Sequence, residues 1–404
     1  MREIERIRSA LSDGTAVILT ASEFKRRIAQ EDTISDVDIV TCGTCGVMSG
    51  TYAVLSVPVA SPGSFLRADT VSLQGVPAIP GPCPNERLGL VDLIVFGTAQ
   101  AHNRYGGGHL FHDLIAGKDI HVKVTSAGKD HETDVTLEDI PFARLLSTRS
   151  CFKNYSAFIN GGNEPVKTIF STLSLAGNAS EATVSGCGEI NPLENDPTLR
   201  FLSPGDPVIM NGAEGRVIGT GTRSSTERPN ISVHADFKKM DAMFCGGFHT
   251  AAGPECITSI GTAIPLVDRD VLASLCVMDK DITLPVVDIS IRQPVGSDYY
   301  DRVWTGTASC IQHHPWRCQN CSPCNARNSC PVDAIREDGT ISQVKCFVCG
   351  TCVKTCNGSV YEGNFGTILG DKEIPIVLRQ SDRRRAEILC RKVREMLIKG
   401  EFKI

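Results

Sequence analysis

Two cysteine-rich stretches, CQNCSPCNARNSCP at residues 318–331 and CFVCGTCVKTC at residues 346–356, decide how the C-terminal part of this 404-residue chain folds. In each stretch the first three cysteines are separated by two residues, so that a tight loop aims three sulfurs at one centre. A fourth cysteine follows after five residues in the first stretch and after three in the second. Because thiolates are soft ligands, this spacing predicts metal ligation.

The two stretches resemble the bacterial type of ferredoxin, which holds two [4Fe–4S] clusters and takes the fourth ligand of each cluster from the other stretch. The resemblance implies two ligand sets, namely Cys318, Cys321, Cys324 and Cys356 for one cluster, and Cys330, Cys346, Cys349 and Cys352 for the other. The long gap before Cys330 lengthens a loop without removing a ligand. A zinc module built on Cys-x-x-Cys pairs is the alternative, but eight cysteines in this order fit two clusters better. Two neighbouring clusters predict electron transfer, with a structural role as the alternative.

Composition limits the class of the protein. Eighteen cysteines against two tryptophans indicate metal ligation or thiol chemistry in a chain of the cytoplasm, where disulfides are rare. With 41% apolar and 22% charged residues, the chain can build globular cores, and its length suggests two or three domains. The net charge of −5 predicts no nucleic-acid partner. We expect no membrane segment and a cytoplasmic location, because no apolar run is long enough to span a bilayer and the charged start lacks a signal peptide.

Periodicity predicts mixed α and β structure. We expect a large α/β or α+β domain at 1–312, a small two-cluster ferredoxin-like α+β domain at 313–362, and a C-terminal extension at 363–404 with an amphipathic helix at 381–399. Asn211-Gly212 predicts a hairpin turn. The other predicted elements are helices at 1–12, 21–29 (opened by a capping box at Thr20) and 110–116, and strands at 38–41, 90–97 and 120–125.

Several glycine-flanked cysteines of the large domain are candidates for catalysis: Cys42, Cys45, Cys187 and Cys245. Cys42 and Cys45 follow the strand at 38–41, in a stretch that we interpret as a glycine-rich turn. A thiol exposed there, with a lowered pKa, would be a nucleophile or a persulfide carrier, and we expect Cys45 to have this role. The alternatives are a pair of buried small apolar residues, a redox dithiol, or a third metal site that includes Cys256, although no spacing requires one.

A second candidate site is the loop before the helix at 110–116, which consists of Arg104, Tyr105, Gly106, Gly107, Gly108 and His109. Glycines expose backbone N–H groups, and a helix N-terminus favours anions, so this loop suits a sulfonate or a carboxylate. His109 would act as an acid or a base on the carbonyl oxygen or on hydrosulfide. The alternative is a tight turn with a capping histidine.

Four motifs of the large domain resemble the homocysteine biosynthesis (HcyBio) family of anaerobic prokaryotes: DVDIVTCGT at 36–44, YGGGH at 105–109, INPLENDP at 190–197 and SIGTAIPL at 259–266. The fusion to a two-cluster ferredoxin resembles the subgroup called methanogenesis marker protein 16. In the homocysteine-forming members, the family's cysteines correspond to Ser49 and to the neighbourhood of His131 in this chain. That departure argues against L-aspartate semialdehyde as the substrate and for a divergent reaction within the same chemistry.

The resemblance implies that sulfur is inserted at an aldehyde. For the ferredoxin-fused subgroup it implies conversion of sulfoacetaldehyde to coenzyme M in a methanogen, with L-aspartate semialdehyde to homocysteine as the alternative. The implied partners are a small anionic aldehyde, a sulfur donor (sulfide or persulfide) and a low-potential electron donor. An aldehyde and sulfide need two further electrons to reach a CH2–SH thiol, which the clusters would supply. A non-catalytic redox or maturation protein of methanogenesis is the alternative from another class.

Overall fold

The computed structural model describes residues 3–81, 84–153, 155–369 and 373–404, so that Met1 and Arg2 of the first predicted helix lie outside it. The described residues form nine α-helices: α1 (Ile4–Ser12), α2 (Ala21–Ala29), α3 (Gly107–Ile115), α4 (Pro192–Asn195), α5 (Arg269–Leu275), α6 (Asp301–Trp304), α7 (Asn325–Ser329), α8 (Thr351–Thr355) and α9 (Arg383–Ile398). None of these helices has both the length and the apolar character that a membrane crossing needs.

The strands of the described residues are β1 (Ile18–Thr20), β2 (Ile39–Val47), β3 (Thr51–Pro58), β4 (Thr70–Leu73), β5 (Val76–Pro80), β6 (Leu90–Phe96), β7 (Gln100–His102), β8 (Tyr105–Gly106), β9 (Ile120–Ser126), β10 (Lys129–Val135), β11 (Phe142–Phe152), β12 (Ala157–Ile159), β13 (Ala182–Val184), β14 (Pro207–Met210), β15 (Ala213–Thr220), β16 (Asn230–Asp236), β17 (Gly246–Thr250), β18 (Gly253–Pro265), β19 (Thr283–Asp288), β20 (Gln293–Tyr299), β21 (Gln312–His313), β22 (Tyr361–Glu362), β23 (Thr367–Leu369) and β24 (Glu373–Arg379). The predicted mixture of α and β structure is confirmed.

The larger sheet joins fourteen of the described strands in the order β1-β2-β18-β14-β15-β16-β11-β3-β6-β5-β4-β9-β10, with β17 paired to the first part of β18. Its strands are antiparallel except for β1 and β2. The hairpin predicted at Asn211-Gly212 joins β14 to β15, and both turn residues have positive φ, as a tight two-residue hairpin requires.

The second sheet connects the C-terminal tail to the rest of the chain. Its order is β20-β19-β12-β13-β24-β23, so that β24 of the tail lies between two other strands. The apolar core of this sheet also contains Ala326, Ala334 and Val360 of the cysteine-rich segment. The predicted division at 312 and 362 stays a prediction, and the structure joins all three parts through shared cores.

The predicted C-terminal helix is confirmed as α9, which lies across β2 and β18 of the larger sheet. Gly43 and Gly261 are paired between these strands, directly under the helix. A Cβ at Gly43 would lie 2.7 Å from the carbonyl oxygen of Ala386, and one at Gly261 would lie 2.9 Å from Val393. These glycines therefore let the helix backbone approach the sheet closely.

Candidate functional site

The two cysteines of the predicted glycine-rich turn lie inside a strand. β2 continues through both residues and pairs with β18, with Cys42 opposite Thr262 and Cys45 opposite Ser259. Neither cysteine side chain has exposed surface. The expectation of a turn with an exposed thiol is therefore wrong for both, because the neighbouring Gly43 serves the packing of α9 and makes no turn.

Burial also keeps these thiols protonated. It raises the pKa of Cys42 to about 12 and raises the pKa of Cys45 well above its ordinary value. Cys187 is equally buried and donates a hydrogen bond to the carbonyl oxygen of Cys45 over 3.6 Å. Burial raises the pKa of Cys187 to about 11. The pKa of Cys245 is raised as well, by its interaction with Cys256 and by burial. Because the thiolate is the nucleophile, the lowered pKa that the sequence suggested is absent from all four candidate cysteines.

The glycine loop is closed by the protein's own hydrogen bonds. The N–H group of Gly107 donates to the carbonyl oxygen of Ala99 over 2.8 Å, and that of Gly108 donates to Gly97 over 2.9 Å. A Cβ at Gly107 would lie 2.0 Å from the carbonyl oxygen of Phe96. The glycines are therefore present for close packing, and the expectation that their N–H groups are free for an anion is wrong.

His109 closes the same turn and has a defined protonation state. Its Nδ1 accepts a hydrogen bond from the N–H group of Gly106 over 3.3 Å, so the ring proton of the neutral form lies on Nε2. A Cβ at Gly247 would lie 2.1 Å from the ring, which shows how closely the imidazole covers this glycine. Burial lowers the pKa of His109 to about 4. The imidazole is thus neutral at physiological pH, as a general base must be.

A cavity of about 320 Å³ lies where α3 meets the cysteine-rich segment. From the large predicted domain, its lining includes Arg104, Tyr105, His109, Lys118, Cys245 and Gly247. From the cysteine-rich segment and α9, its lining includes Val332, Asp333, Val344, Lys345 and Arg385. Of the four candidate catalytic cysteines, Cys245 is the one that lines this cavity, together with His109. The structure therefore brings Cys245 and His109 to one site and leaves Cys42, Cys45 and Cys187 in the core.

Arg104 joins the loop to the cysteine-rich segment. Its guanidinium forms an ion pair with Asp333 and donates to the carbonyl oxygens of Asn328 and, over 3.1 Å, Cys330. The side chain lines the cavity, as expected for a substrate-binding residue, but these bonds use three of its five N–H donors. The main role of Arg104 is therefore to join the glycine loop to the cysteine-rich segment.

Eight cysteines of the C-terminal stretches surround two further cavities. The outer cavity is lined by Cys318, Cys321, Cys324 and Cys356, and the inner cavity by Cys330, Cys346, Cys349 and Cys352. The outer cavity has a volume of about 510 Å³ and the inner one about 20 Å³. Within the described ranges, no three His, Cys, Asp or Glu side chains converge on a point that would hold one metal ion. Each set of sulfurs surrounds a space instead, and four soft ligands around a space fit an iron–sulfur cube.

Backbone donors reach the sulfurs of both sets. The N–H group of Ala334 donates to Sγ of Cys330 over 3.2 Å, and that of Val348 donates to Sγ of Cys346 over 3.4 Å. In the outer set, the N–H group of Asn320 donates to Sγ of Cys318 over 3.4 Å. Such bonds stabilise negative charge on sulfur, which is the form that binds iron.

The inner cysteine cavity and the 320 Å³ cavity are neighbours. Val332 lines both of them. The N–H group of His249 in β17 donates to the carbonyl oxygen of Pro331 over 3.0 Å. The rings of Phe248 and Phe347 lie 5.1 Å apart, edge to face. One layer of side chains therefore separates Cys245 and His109 from the inner set of cysteines.

Replacement of Gly247 by alanine is expected to displace the imidazole of His109, because the new Cβ would overlap the ring. We expect a loss of about 1–3 kcal/mol of stability. Thermal unfolding would measure this effect. Gly219→Ala is the matched control, since a Cβ at Gly219 has open space around it. Equal behaviour of the two variants would contradict the assigned position of His109.

Val332 and Lys345 are functional candidates that sequence reasoning missed. Val332 follows Cys330 by two residues, and Lys345 directly precedes Cys346. This proximity to the predicted cluster ligands is a signal that was present in the sequence. The cavity itself has no sequence signal, because it forms between segments more than 200 residues apart in the chain, such as Arg104 and Asp333. Of the two family cysteine positions, Ser49 lines a separate cavity of about 80 Å³, and the ring of His131 packs on Phe65.

Proteins similar to this chain come from methanogens. It is 43% identical to an uncharacterized protein of Methanothermobacter thermautotrophicus over 99% of this chain and 94% of the relative. It is 39% identical to an uncharacterized protein of Methanocaldococcus jannaschii over 96% of this chain and 98% of the relative. It is 28% identical to the L-aspartate semialdehyde sulfurtransferase of Methanosarcina acetivorans over 72% of this chain and 59% of that enzyme. No solved structure matches the chain.

A family model matches nearly the whole chain, including the cysteine-rich segment and the tail that complete the cavity. The match covers residues 16–404, and the family is described as homocysteine biosynthesis enzyme, sulfur-incorporation. The four glycine- and proline-containing motifs of the large domain lie within it. This chain therefore belongs to the sulfur-incorporating homocysteine biosynthesis family.

Proposed function

We propose that this protein is an iron–sulfur sulfurtransferase that converts a small anionic aldehyde into a thiol. Sulfide adds to the carbonyl carbon, the carbonyl oxygen leaves as water, and two electrons with two protons bring the carbon to the CH2–SH level. The family membership and the name of the Methanosarcina acetivorans relative support sulfur transfer to an aldehyde. The reductive step is supported by the short distance between the two cavities: Val332 lines both the cavity of Cys245 and His109 and the inner cysteine cavity.

The residues that line the cavity have different roles in the proposed reaction. When the donor is a persulfide or polysulfide, Cys245 receives its sulfane sulfur by exchange; with sulfide as the donor, no transfer through this cysteine is needed. The neutral imidazole of His109 moves a proton at the carbonyl oxygen or at the sulfur. The inner set (Cys330, Cys346, Cys349 and Cys352) and the outer set (Cys318, Cys321, Cys324 and Cys356) would each hold a [4Fe–4S] cluster. Such clusters supply single electrons at low potential.

Sulfoacetaldehyde, giving coenzyme M, is the substrate that we propose first. It is an anion, and the ammonium group of Lys345 lies at the rim of the cavity without a hydrogen-bond or ion-pair partner among the residues that the structure describes, while the backbone carbonyl of this lysine accepts from Arg385. L-aspartate semialdehyde, giving homocysteine, is the second candidate, because two relatives carry that substrate in their names. A protein without turnover, serving redox or maturation steps, is the alternative from another class.

The deciding experiment starts from anaerobically purified protein with both clusters in place. Sulfide and a low-potential reductant are added with sulfoacetaldehyde or with L-aspartate semialdehyde, and alkylated products are identified by mass spectrometry. Coenzyme M from the first aldehyde supports the proposal, and homocysteine from the second assigns the alternative substrate. If neither thiol forms although the clusters are intact and reducible, and persulfide donors also fail, the proposal is rejected in favour of the redox protein.

Replacement of Lys345 by glutamine is expected to raise the KM for the anionic aldehyde about tenfold, the worth of one charge-assisted hydrogen bond. The value of kcat should change little, since the lysine is exposed at the rim and binds the substrate equally in ground state and transition state. Steady-state kinetics of thiol formation measure both constants. Lys399→Gln, at the exposed end of α9, is the charge-matched control. An unchanged KM in the Lys345 variant would mean that the anion binds elsewhere.

A further inference from the structure

Cys245 and Cys256 are neighbouring thiols beside the cavity. They belong to one apolar core cluster, and the interaction with Cys256, together with burial, raises the pKa of Cys245 well above its ordinary value. Strands β17 and β18 bring them together: Gly247 pairs with Cys256, and Cys245 lies two residues before Gly247, on the same face of the ladder. Neither cysteine forms a disulfide in the structure, and both side chains are buried. Two thiols in such contact are positioned for a disulfide.

The position of Cys256 is restricted by glycines. A Cβ at Gly97 would lie 2.7 Å from the Cβ of Cys256, and one at Gly108 would lie 2.9 Å from its Cα. The Sγ of Cys256 lies 3.8 Å from the hydroxyl of Thr258. The backbone of two other segments therefore packs directly on this cysteine and holds its sulfur beside Cys245.

The two sulfurs differ in access. Cys245 lines the 320 Å³ cavity, whereas Cys256 lines none of the cavities described above. A sulfur donor or a substrate that enters the cavity therefore meets Cys245 first. This asymmetry is the one that an attacking and a resolving cysteine need.

Both cysteines lie close to the inner cysteine set. Strand β17 begins directly after Cys245, and its His249 is hydrogen bonded to Pro331, which lines the inner cavity. Phe248 of the same strand contacts Phe347, a second residue of that lining. Electrons held at the inner set are therefore one side-chain layer away from this pair of thiols.

We propose that Cys245 and Cys256 are a redox-active pair that releases sulfide from a bound persulfide. The inference rests on the proposed function. A sulfane-sulfur donor, such as a polysulfide, places one sulfur on Cys245. The Cys256 thiolate then attacks Sγ of Cys245, the sulfur–sulfur bond of the persulfide breaks, and hydrosulfide leaves into the cavity. The remaining Cys245–Cys256 disulfide takes up two electrons and two protons from the low-potential donor and returns to two thiols.

The sequence makes this pair easy to observe. Trypsin cleaves after Lys239 and Arg269, so one fragment, 240–269, carries Cys245 and Cys256 and no other cysteine. Anaerobic protein with its clusters is treated with polysulfide, quenched in acid, alkylated and digested. In the unsubstituted chain we expect this fragment to be lighter by two hydrogen atoms and free of alkyl groups. A low-potential reductant should then restore two sites for alkylation.

The Cys256→Ser and Cys256→Ala variants should instead accumulate an alkylated persulfide on Cys245, heavier by one sulfur atom. Cys390→Ala, a buried cysteine of α9, is the control that should form the disulfide like the unsubstituted chain. Two alkyl groups on the fragment from the unsubstituted chain after polysulfide would overturn the inference. So would the absence of a persulfide in folded Cys256 variants.

Failure of this inference and failure of the proposed function give different results. If the disulfide forms and is reduced but no thiol arises from either aldehyde, the redox pair stands and the sulfurtransferase assignment fails. If thiol forms from polysulfide at the unsubstituted rate in Cys256→Ser, the sulfurtransferase stands and the redox pair is wrong.

Discussion

With polysulfide as the sulfur donor, replacement of Cys245 by serine is expected to slow thiol formation from either aldehyde by on the order of 10³-fold or more, the scale of loss when a reacting nucleophile is removed. Cys245 lines the cavity with His109, and a hydroxyl cannot carry a persulfide. The iron content should not change, because Cys245 belongs to neither cysteine set. Single-turnover assays with mass-spectrometric detection of the thiol measure the effect.

The comparison with Cys45→Ser decides between the cysteine that the sequence favours and the one that lines the cavity. Both cysteines are buried and both have a raised pKa, but Cys45 lines none of the cavities described above, whereas Cys245 lines the cavity that contains His109. We therefore expect the larger loss for Cys245. A larger loss for Cys45→Ser, with iron and fold intact, would return the sulfur-carrying role to Cys45. Cys390→Ala serves as the buried control outside both candidate positions.

Replacement of Cys349 by serine is expected to remove half of the iron and to lower the midpoint of thermal unfolding by about 10 °C or more. Cys349 is 7% exposed and shares an apolar core with Phe347, Leu378 and Ala386. Loss of the cluster would leave the inner cavity empty between the second sheet and α9, and an unfilled core cavity destabilises a protein. Iron analysis and scanning calorimetry under anaerobic conditions measure both effects.

Cys321→Ser is the matched control in the outer set, where the cysteine lies exposed at the surface. It should also remove half of the iron but lower the unfolding midpoint by only about 3 °C or less, because little core depends on the outer cluster. Thiol formation should stop in both variants if electrons pass from the outer to the inner set. Equal losses of thermal stability would contradict the different burial of the two sets.

Local signals predicted the elements that depend on neighbouring residues. The capping box at Thr20 and Glu23 begins α2, the Asn211-Gly212 turn joins two strands, and the apolar stripe of the tail predicted α9. Each of these patterns is satisfied within a few residues along the chain. The same local reasoning wrongly predicted a turn at Cys42–Gly46. Gly43 lies in a strand and is needed for the close approach of α9, which is more than 300 residues later in the chain.

The sequence alone was enough to group the cysteines into two interleaved sets and to recognise the family, since both rest on the order and spacing of residue types. The cavity that joins Cys245, His109 and Lys345 beside the inner set was decided only by the tertiary structure. So was the contact between Cys245 and Cys256, which depends on the register of β17 and β18. The physical reason is that exposure and pKa follow from the packing of distant segments. That packing buries all four candidate cysteines and places one of them, Cys245, at the wall of the cavity.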